Sequence, residues 1–89
     1  MFYKVKNVRP LPNLLLLVDF ENGVQKQYAL EPLLSKWKTF AILKNNENLF
    51  NKVKVDGKGY GISWNDDLDL SCNELFENGI EVTNAEKVS

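Results

Sequence analysis

Three aspartates and a cysteine lie close together near the end of this sequence. Asp66, Asp67 and Asp69 precede Cys72. Closely spaced carboxylates can bind a hard cation, and a thiol at the start of a helix can act as a nucleophile. The sequence has no histidine to serve as a base, and this spacing lacks the glycine and the distal glutamate of a calcium loop. We therefore expect no catalytic residue, no metal and no cofactor, and a structural role for Cys72.

The same segment has the residues with which a binding surface could be built. Trp64 could stack on a ligand or a base, although packing in the core is the stronger interpretation for both Trp64 and Trp37. We expect Asp69 to accept backbone N–H bonds in a loop before the last helix. Asp66 and Asp67 would then face solvent or a partner. Our candidate partner-binding residues are Trp64, Asp66, Asp67 and Asp69.

The last helix has the clearest local signature in the sequence. Ser71 is the predicted N-cap, and Glu74, three residues later, completes a capping box. Leu70 and Leu75 have the spacing of a hydrophobic staple. Gly79 occupies the position of a C′ glycine.

Alternating apolar and polar residues predict about five mostly antiparallel strands. The strands are expected at residues 2–9, 14–20, 24–30, around 53–55 and around 60–64. The second is apolar on both faces, which predicts a central strand covered twice. The third carries polar residues, which predicts an edge or half-exposed strand. Asn22-Gly23 is typical of a hairpin turn.

Helical spacing between the third and fourth strands predicts the remaining helices. Pro32 suits a first helical turn, and the pattern fits either one helix to about Leu43 or two short helices broken near Ser35. A chain of 89 residues makes one domain. We therefore expect a single small α+β domain over residues 1–82, with about five strands and two or three short helices, and a frayed tail over residues 83–89.

Charge is distributed unevenly along the chain. Residues 1–58 hold ten basic and five acidic residues, whereas residues 59–89 hold one lysine and seven acids, so the two parts carry +5 and −6. Such asymmetry can mark an interaction surface; alternatively, folding brings the two parts together and neutralises them. On the first interpretation, the protein is a non-enzymatic interaction module that binds a small protein partner of opposite charge.

Two further kinds of partner are compatible with the sequence. A nucleic-acid-associated regulator could use a lysine-rich sheet face, but the chain has ten lysines to one arginine and an isoelectric point near 5.4, which favours a protein partner. An exposed third strand would also allow a homodimer by edge pairing.

The sequence predicts a cytoplasmic protein. Its longest apolar run, Leu14–Val18, is far shorter than the roughly 20 residues that span a bilayer, so no membrane segment is expected. The first residues lack a signal-peptide pattern. The single cysteine allows no internal disulfide, which fits a reducing compartment.

An ordered set of short motifs resembles the bacterial family called Domain of Unknown Function 2442, over roughly residues 2–79. In chain order these motifs are Phe20-x-Asn22-Gly23, Pro32-Leu33-Leu34, Phe40-x-x-Leu43, Phe50-x-x-Val53-x-Val55-Asp56, Ile62-x-Trp64, Asp69-Leu70 and Leu75-Phe76 before Gly79. The family usually has a glycine in place of Asp67 and a proline in place of Cys72. The resemblance implies a small α+β domain without a recognised activity. It also implies a gene beside that of another small protein, in an arrangement similar to a toxin–antitoxin pair, with this chain as the antitoxin-like member.

Overall fold

The computed structural model describes residues 3–82, in which two antiparallel sheets pack with short helices and confirm the predicted α+β class. The strands are β1 (Val5–Leu11), β2 (Leu15–Phe20), β3 (Gln25–Ala29), β4 (Lys54–Asp56), β5 (Gly61–Asn65), β6 (Leu68–Ser71) and β7 (Ile80–Glu81). The helices are α1 (Glu31–Lys36), a 3₁₀ helix (Lys38–Asn45), α2 (Glu47–Phe50) and α3 (Cys72–Asn78), with a single 3₁₀ turn at Pro12–Leu14. The tail predicted for residues 83–89 lies outside the described residues.

The first sheet has the strand order β1-β2-β3-β7, so β2 is central as predicted. Leu16, Val18 and Phe20 on one face of β2 are buried in the core. Leu15 and Leu17 on the other face are only half-buried. The prediction that both faces are covered is therefore wrong for the part of the chain that the structure describes.

The first strand was expected to end at residue 9, but Pro10 lies within β1 and pairs with Leu16. A proline lacks the N–H that a ladder needs, and it is tolerated in an edge strand because one side of that strand has no neighbour. Because β1 is the outer strand of its sheet, Pro10 fits there.

The second sheet has the order β4-β5-β6. β6 lies where a loop was predicted, directly before the last helix. Gly59, in the turn before β5, joins the two sheets because its carbonyl accepts a 2.8 Å hydrogen bond from the Val5 N–H. Its φ of +93° and the Val5 carbonyl oxygen, only 2.7 Å from where a Cβ would lie, both require a glycine at this position.

The predicted helical region is two short helices, α1 and the 3₁₀ helix, broken at Trp37 by an extended backbone (φ −128°, ψ 112°). This break turns the Trp37 side chain outward, and 55% of its surface is exposed. The prediction that Trp37 packs in the core is therefore wrong. Phe50 at the end of α2 is buried and closes the core on this side.

Ser71 caps α3 as predicted, because its Oγ accepts a 3.1 Å hydrogen bond from the Glu74 N–H. Leu75 is fully buried on the inner face of α3, and Leu70 packs against the same core. Gly79 has φ −79° and is not the left-handed C′ residue that was expected. A Cβ at Gly79 would lie 2.6 Å from the Leu75 carbonyl oxygen, so close packing requires the glycine.

After Gly79 the chain pairs with β3 as the short strand β7, which matches Lys26 with Glu81 and Gln27 with Ile80. The third strand is therefore an inner strand over this stretch. β7 begins at Ile80, opposite Gln27, and does not extend to Ala29, which is exposed.

Within residues 3–82, no helix is both long enough and apolar enough to cross a membrane.

Candidate functional site

β6 is the outer strand of the second sheet, and its free edge faces α1 and the 3₁₀ helix across a cavity of about 380 Å³. Asp69, Leu70 and Ser71 line the strand side of this cavity. Trp37 and Phe40 line the helix side. The cavity therefore runs between a strand edge and an apolar wall.

A second cavity of about 490 Å³ lies beside β3 at the start of β7, and Ala29 and Ile80 are among its lining residues. Leu33, Lys36 and Glu74 line both cavities. The two cavities therefore adjoin, and we call the combined depression the groove. α1 forms one wall of the groove, and the first turn of α3 contributes Glu74 to both of its halves.

Large apolar side chains in the groove are open to solvent. Trp37 is 55% exposed and Ile80 is 74% exposed, the largest exposure among the large hydrophobic residues that the structure describes. Leu33, Phe40 and Leu70, which line the cavity with Trp37, are half-buried. Phe40 is held by an edge-to-face contact with Trp64, with 6.0 Å between the ring centroids. The apolar wall therefore contacts the core through Phe40, while the Trp37 side chain remains exposed to solvent.

Glu74 is the central acidic group of the groove. Its carboxylate accepts a 2.8 Å hydrogen bond from the hydroxyl of Tyr28, whose ring is buried. Burial first, and then the hydrogen bond and the negative charge of Glu74, raise the pKa of Tyr28 above its ordinary value. Glu74 is thus fixed in place, with Asp69 and the single cation Lys36 beside it among the groove residues.

The structure separates the four candidate partner-binding residues. Trp64 lies in the core, only 4% exposed, and its Nε1 donates a 3.2 Å hydrogen bond to the Phe50 carbonyl. Little of its ring is therefore accessible to a partner. Asp66 and Asp67 are exposed in the turn between β5 and β6. Asp69 is exposed in β6 and borders the groove.

The expected role of Asp69 as a backbone acceptor belongs to another residue. Asn65 Oδ1 accepts hydrogen bonds from the N–H groups of Asp67 at 2.8 Å and Leu68 at 3.0 Å. Asparagine commonly makes such turns, so the residue type was a usable signal. It was overlooked because Asp69 was placed in a loop, whereas it lies in β6.

Two features of the groove were not anticipated from the sequence. The exposed Trp37 was assigned to the core because its spacing fits one continuous helix. The edge of β6 was missed because its four residues were interpreted as part of an acidic loop. Leu68 and Leu70 alternate with Asp67 and Asp69, and this alternation is the signal that indicates the strand.

The lysines do not form one continuous sheet face. Lys26 pairs with the buried Val18 and directs its Nζ to the Phe76 carbonyl, 4.0 Å above the Phe76 ring centroid. Lys4 lies over the ring of Tyr60, and Lys36 belongs to α1. Lys4, Lys26 and Lys36 therefore lie on separate parts of the molecule.

The described part of the chain has no cluster of side chains that could hold a metal ion. No group of three or more cysteine, aspartate or glutamate side chains converges there. Cys72 is 1% exposed, with its sulfur near the Asn73 side-chain oxygen at 3.9 Å.

Comparison with known proteins gives a family and nothing more specific. No curated protein and no solved structure matches the chain. The model of the family described as a protein of unknown function (DUF2442) matches residues 5–81, and the chain therefore belongs to the DUF2442 family.

Proposed function

We propose that this protein is a non-enzymatic interaction module that binds a small protein partner at the groove. The observation that carries the proposal is the exposed apolar surface of the groove, in which Trp37, 55% exposed, lines one cavity and Ile80, 74% exposed, lines the adjoining one. Leaving large apolar side chains in water forgoes the gain of burying them, about 1.5–3 kcal/mol for an aliphatic or phenyl side chain. A contiguous apolar patch on a small domain is typical of an interaction site.

The chemistry of the wall suits a protein partner in particular. Tryptophan is enriched at the centres of protein interfaces, where few residues supply most of the binding energy. Trp37 lies beside the half-buried Phe40 and Leu33, which continue its apolar surface into the groove. A partner that covers Trp37 would therefore bury one connected apolar area.

Acidic residues near the groove favour a partner with basic side chains. Asp69 and Glu74 line the groove, and Asp66 and Asp67 lie in the turn that leads into β6. A partner with basic side chains at matching positions would be attracted, and one with acidic side chains would be repelled. The two-gene arrangement implied by the family resemblance would supply such a partner, with this chain as the antitoxin-like member in the cytoplasm.

The experiment that tests the proposal is recovery of the tagged protein from its native host, with and without nuclease, followed by mass spectrometry. We expect one small protein in stoichiometric amount that survives nuclease treatment. Recovery of nucleic acid, or of proteins that are lost on nuclease treatment, would contradict the proposal and favour the lysine-based alternative. Recovery of no stoichiometric protein would also count against it.

Two double charge-reversal variants test whether the acidic turn contacts the partner. The double variant Asp66→Lys and Asp67→Lys should weaken recovery of the partner, since it reverses the charge beside the groove. The double variant Glu21→Lys and Asp56→Lys changes the net charge by the same amount at exposed positions that do not line the groove. Equal recovery with both double variants would remove the acidic turn from the binding surface.

A further inference from the structure

The backbone of β6 presents unpaired polar groups to the groove. The Cys72 N–H donates a 2.8 Å hydrogen bond to the Tyr60 carbonyl, which makes these two residues a hydrogen-bonded pair of the antiparallel ladder. Such pairs alternate with pairs whose N–H and C=O groups point outward. By this alternation Leu70 bonds to β5, whereas Asp69 and Ser71 direct their backbone groups away from it.

A close contact supports this assignment independently. The Leu70 carbonyl oxygen lies 2.5 Å from the place where a Cβ on Gly61 would be, so it points toward β5. The groups that point the opposite way are the N–H and C=O of Asp69 and the N–H of Ser71. Both residues line the groove.

The Ser71 N–H is open for a specific reason. In a complete capping box the glutamate at position N3 accepts the N–H of the N-cap residue. Here the Glu74 carboxylate accepts from Tyr28 instead, at 2.8 Å. Within residues 3–82, neither the Ser71 N–H nor the Asp69 N–H donates a hydrogen bond to an acceptor in another element.

We propose, as a deepening that rests on the proposed function, that the partner inserts an extended segment into the groove as a fourth strand beside β6. An exposed strand edge is a template for pairing with another chain, and strand addition supplies affinity through backbone hydrogen bonds and specificity through alternate side chains. The donors and the acceptor at Asp69 and Ser71 pair with the backbone of this segment.

The two faces of the added strand contact different kinds of side chain, one apolar and one acidic. Leu70 packs against the core, as Leu33 and Phe40 do, and Trp37 lines the same cavity. Asp69 lies on the opposite face of β6 from Leu70 because side chains alternate along a strand. The segment therefore carries a large apolar side chain toward Trp37 and basic side chains toward Asp69 at the alternate positions. The cavity of about 380 Å³ beside β6 is within the size range of ligand sites.

Phage-displayed random short peptides, selected against the full chain, provide the test without knowledge of the partner. We expect selected peptides to alternate aromatic or aliphatic residues with lysine or arginine. Their affinities are measured by fluorescence anisotropy of labelled synthetic peptides. Amide hydrogen exchange, followed by NMR, should slow at Asp69 and Ser71 when a peptide binds.

Asp69→Pro is the decisive variant. It removes an N–H that faces away from β5, a change that an edge strand tolerates. It should weaken peptide binding by roughly tenfold or more, because the peptide carbonyl opposite loses its donor. Asp69→Asn keeps the N–H and removes only the charge, so it should weaken binding less.

Glu81→Pro is the matched control on another edge. Val82 N–H bonds to the Gln25 carbonyl, so by the same alternation the Glu81 N–H points away from β3. This variant should bind the selected peptides with unchanged affinity. Circular dichroism of both proline variants shows whether each retains its fold, and Asp69→Asn with the exchange measurement decides the matter if Asp69→Pro does not fold.

Each outcome bears on one proposal or the other. Selection of no peptide, equal binding by wild type and folded Asp69→Pro, or unchanged exchange at Asp69 and Ser71 would overturn strand addition. If Asp69→Pro still recovers the host partner as well as wild type does, the interaction module stands and only the strand addition is wrong. If wild type recovers no partner, the proposed function itself fails.

Discussion

The hydroxyl of Tyr28 and the carboxylate of Glu74 are joined by a 2.8 Å hydrogen bond between residues 46 positions apart in the chain. The bond ties β3 of the first sheet to the first turn of α3. It also draws the Glu74 side chain away from the Ser71 N–H, so that the helix keeps its Ser71 cap but only half of the capping box. One tertiary contact thus both anchors the helix and leaves the edge of β6 open.

Replacement of Tyr28 by phenylalanine should change the pH dependence of stability. Burial, followed by the contact with Glu74, raises the pKa of Tyr28. The folded state therefore disfavours the phenolate, and this contribution to stability is complete below the unfolded pKa of about 10 and is lost as pH rises above it. Urea denaturation at a series of pH values should show the unfolding free energy of wild type falling more steeply above about pH 10 than that of Tyr28→Phe.

At neutral pH the same variant should lose about 1 kcal/mol, the net value of one hydrogen bond. Tyr3→Phe serves as the control, since Tyr3 stacks on Phe76 through its ring, with 3.8 Å between centroids. It should retain the steep alkaline fall. Identical alkaline slopes for wild type and Tyr28→Phe would show that Tyr28 is not protected in the folded protein.

The two tryptophans should respond differently to the same substitution. Trp64→Phe removes the hydrogen bond to the Phe50 carbonyl and part of a buried ring, and we expect a loss of about 1–3 kcal/mol. Trp37→Phe changes an exposed side chain and should alter stability by less than about 0.5 kcal/mol. Urea denaturation followed by circular dichroism measures both, and similar losses would contradict the exposed position of Trp37.

Features that depend on residues adjacent in the chain were predictable. Ser71 was identified as an N-cap from its spacing to Glu74, and the structure has the expected bond. The alternation along β2 placed Leu16, Val18 and Phe20 on one face, and that face is buried, although the opposite face was expected to be covered as well. Such patterns report local geometry because side-chain direction repeats every two residues in a strand.

Features that depend on distant residues were not predictable in the same way. Glu74 was assigned to the capping box because nothing in the local sequence reveals Tyr28 as a competing donor. Trp37 was assigned to the core because helical spacing assumes a continuous helix, whereas the chain becomes extended at this residue. The groove depends on both features, so its position could not be derived from periodicity alone.

Alanine variants of Gly59 and Gly23 form a matched pair that tests how closely the two sheets pack at Gly59. Their φ angles are nearly equal, +93° and +91°, so alanine strains the backbone similarly at both positions. A Cβ at Gly59 would meet the Val5 carbonyl oxygen at 2.7 Å, whereas a Cβ at Gly23 would meet nothing within 4 Å. Gly59→Ala should therefore be less stable than Gly23→Ala by at least about 1 kcal/mol in urea denaturation, as expected for forced overpacking. Equal losses would mean that the two sheets do not meet closely at Gly59.

Alanine variants of Asn65 and Asp69 test which of the two side chains stabilises the turn before β6. The Asn65 side chain accepts from the N–H groups of Asp67 and Leu68, so Asn65→Ala removes an acceptor for two backbone donors. We expect a loss of about 1 kcal/mol in unfolding free energy. Asp69→Ala removes an exposed carboxylate and should change stability by less than about 0.5 kcal/mol.

The opposite result would restore the account inferred from the sequence, in which Asp69 holds the turn through backbone N–H bonds. Amide exchange adds a local readout, since Asn65→Ala should accelerate exchange at Asp67 and Leu68 beyond any change in global stability. Because the turn leads directly into β6, its loosening should also weaken recovery of the partner. Asp69→Ala should leave exchange at Asp67 and Leu68 unchanged, which separates the structural role of Asn65 from the binding role proposed for Asp69.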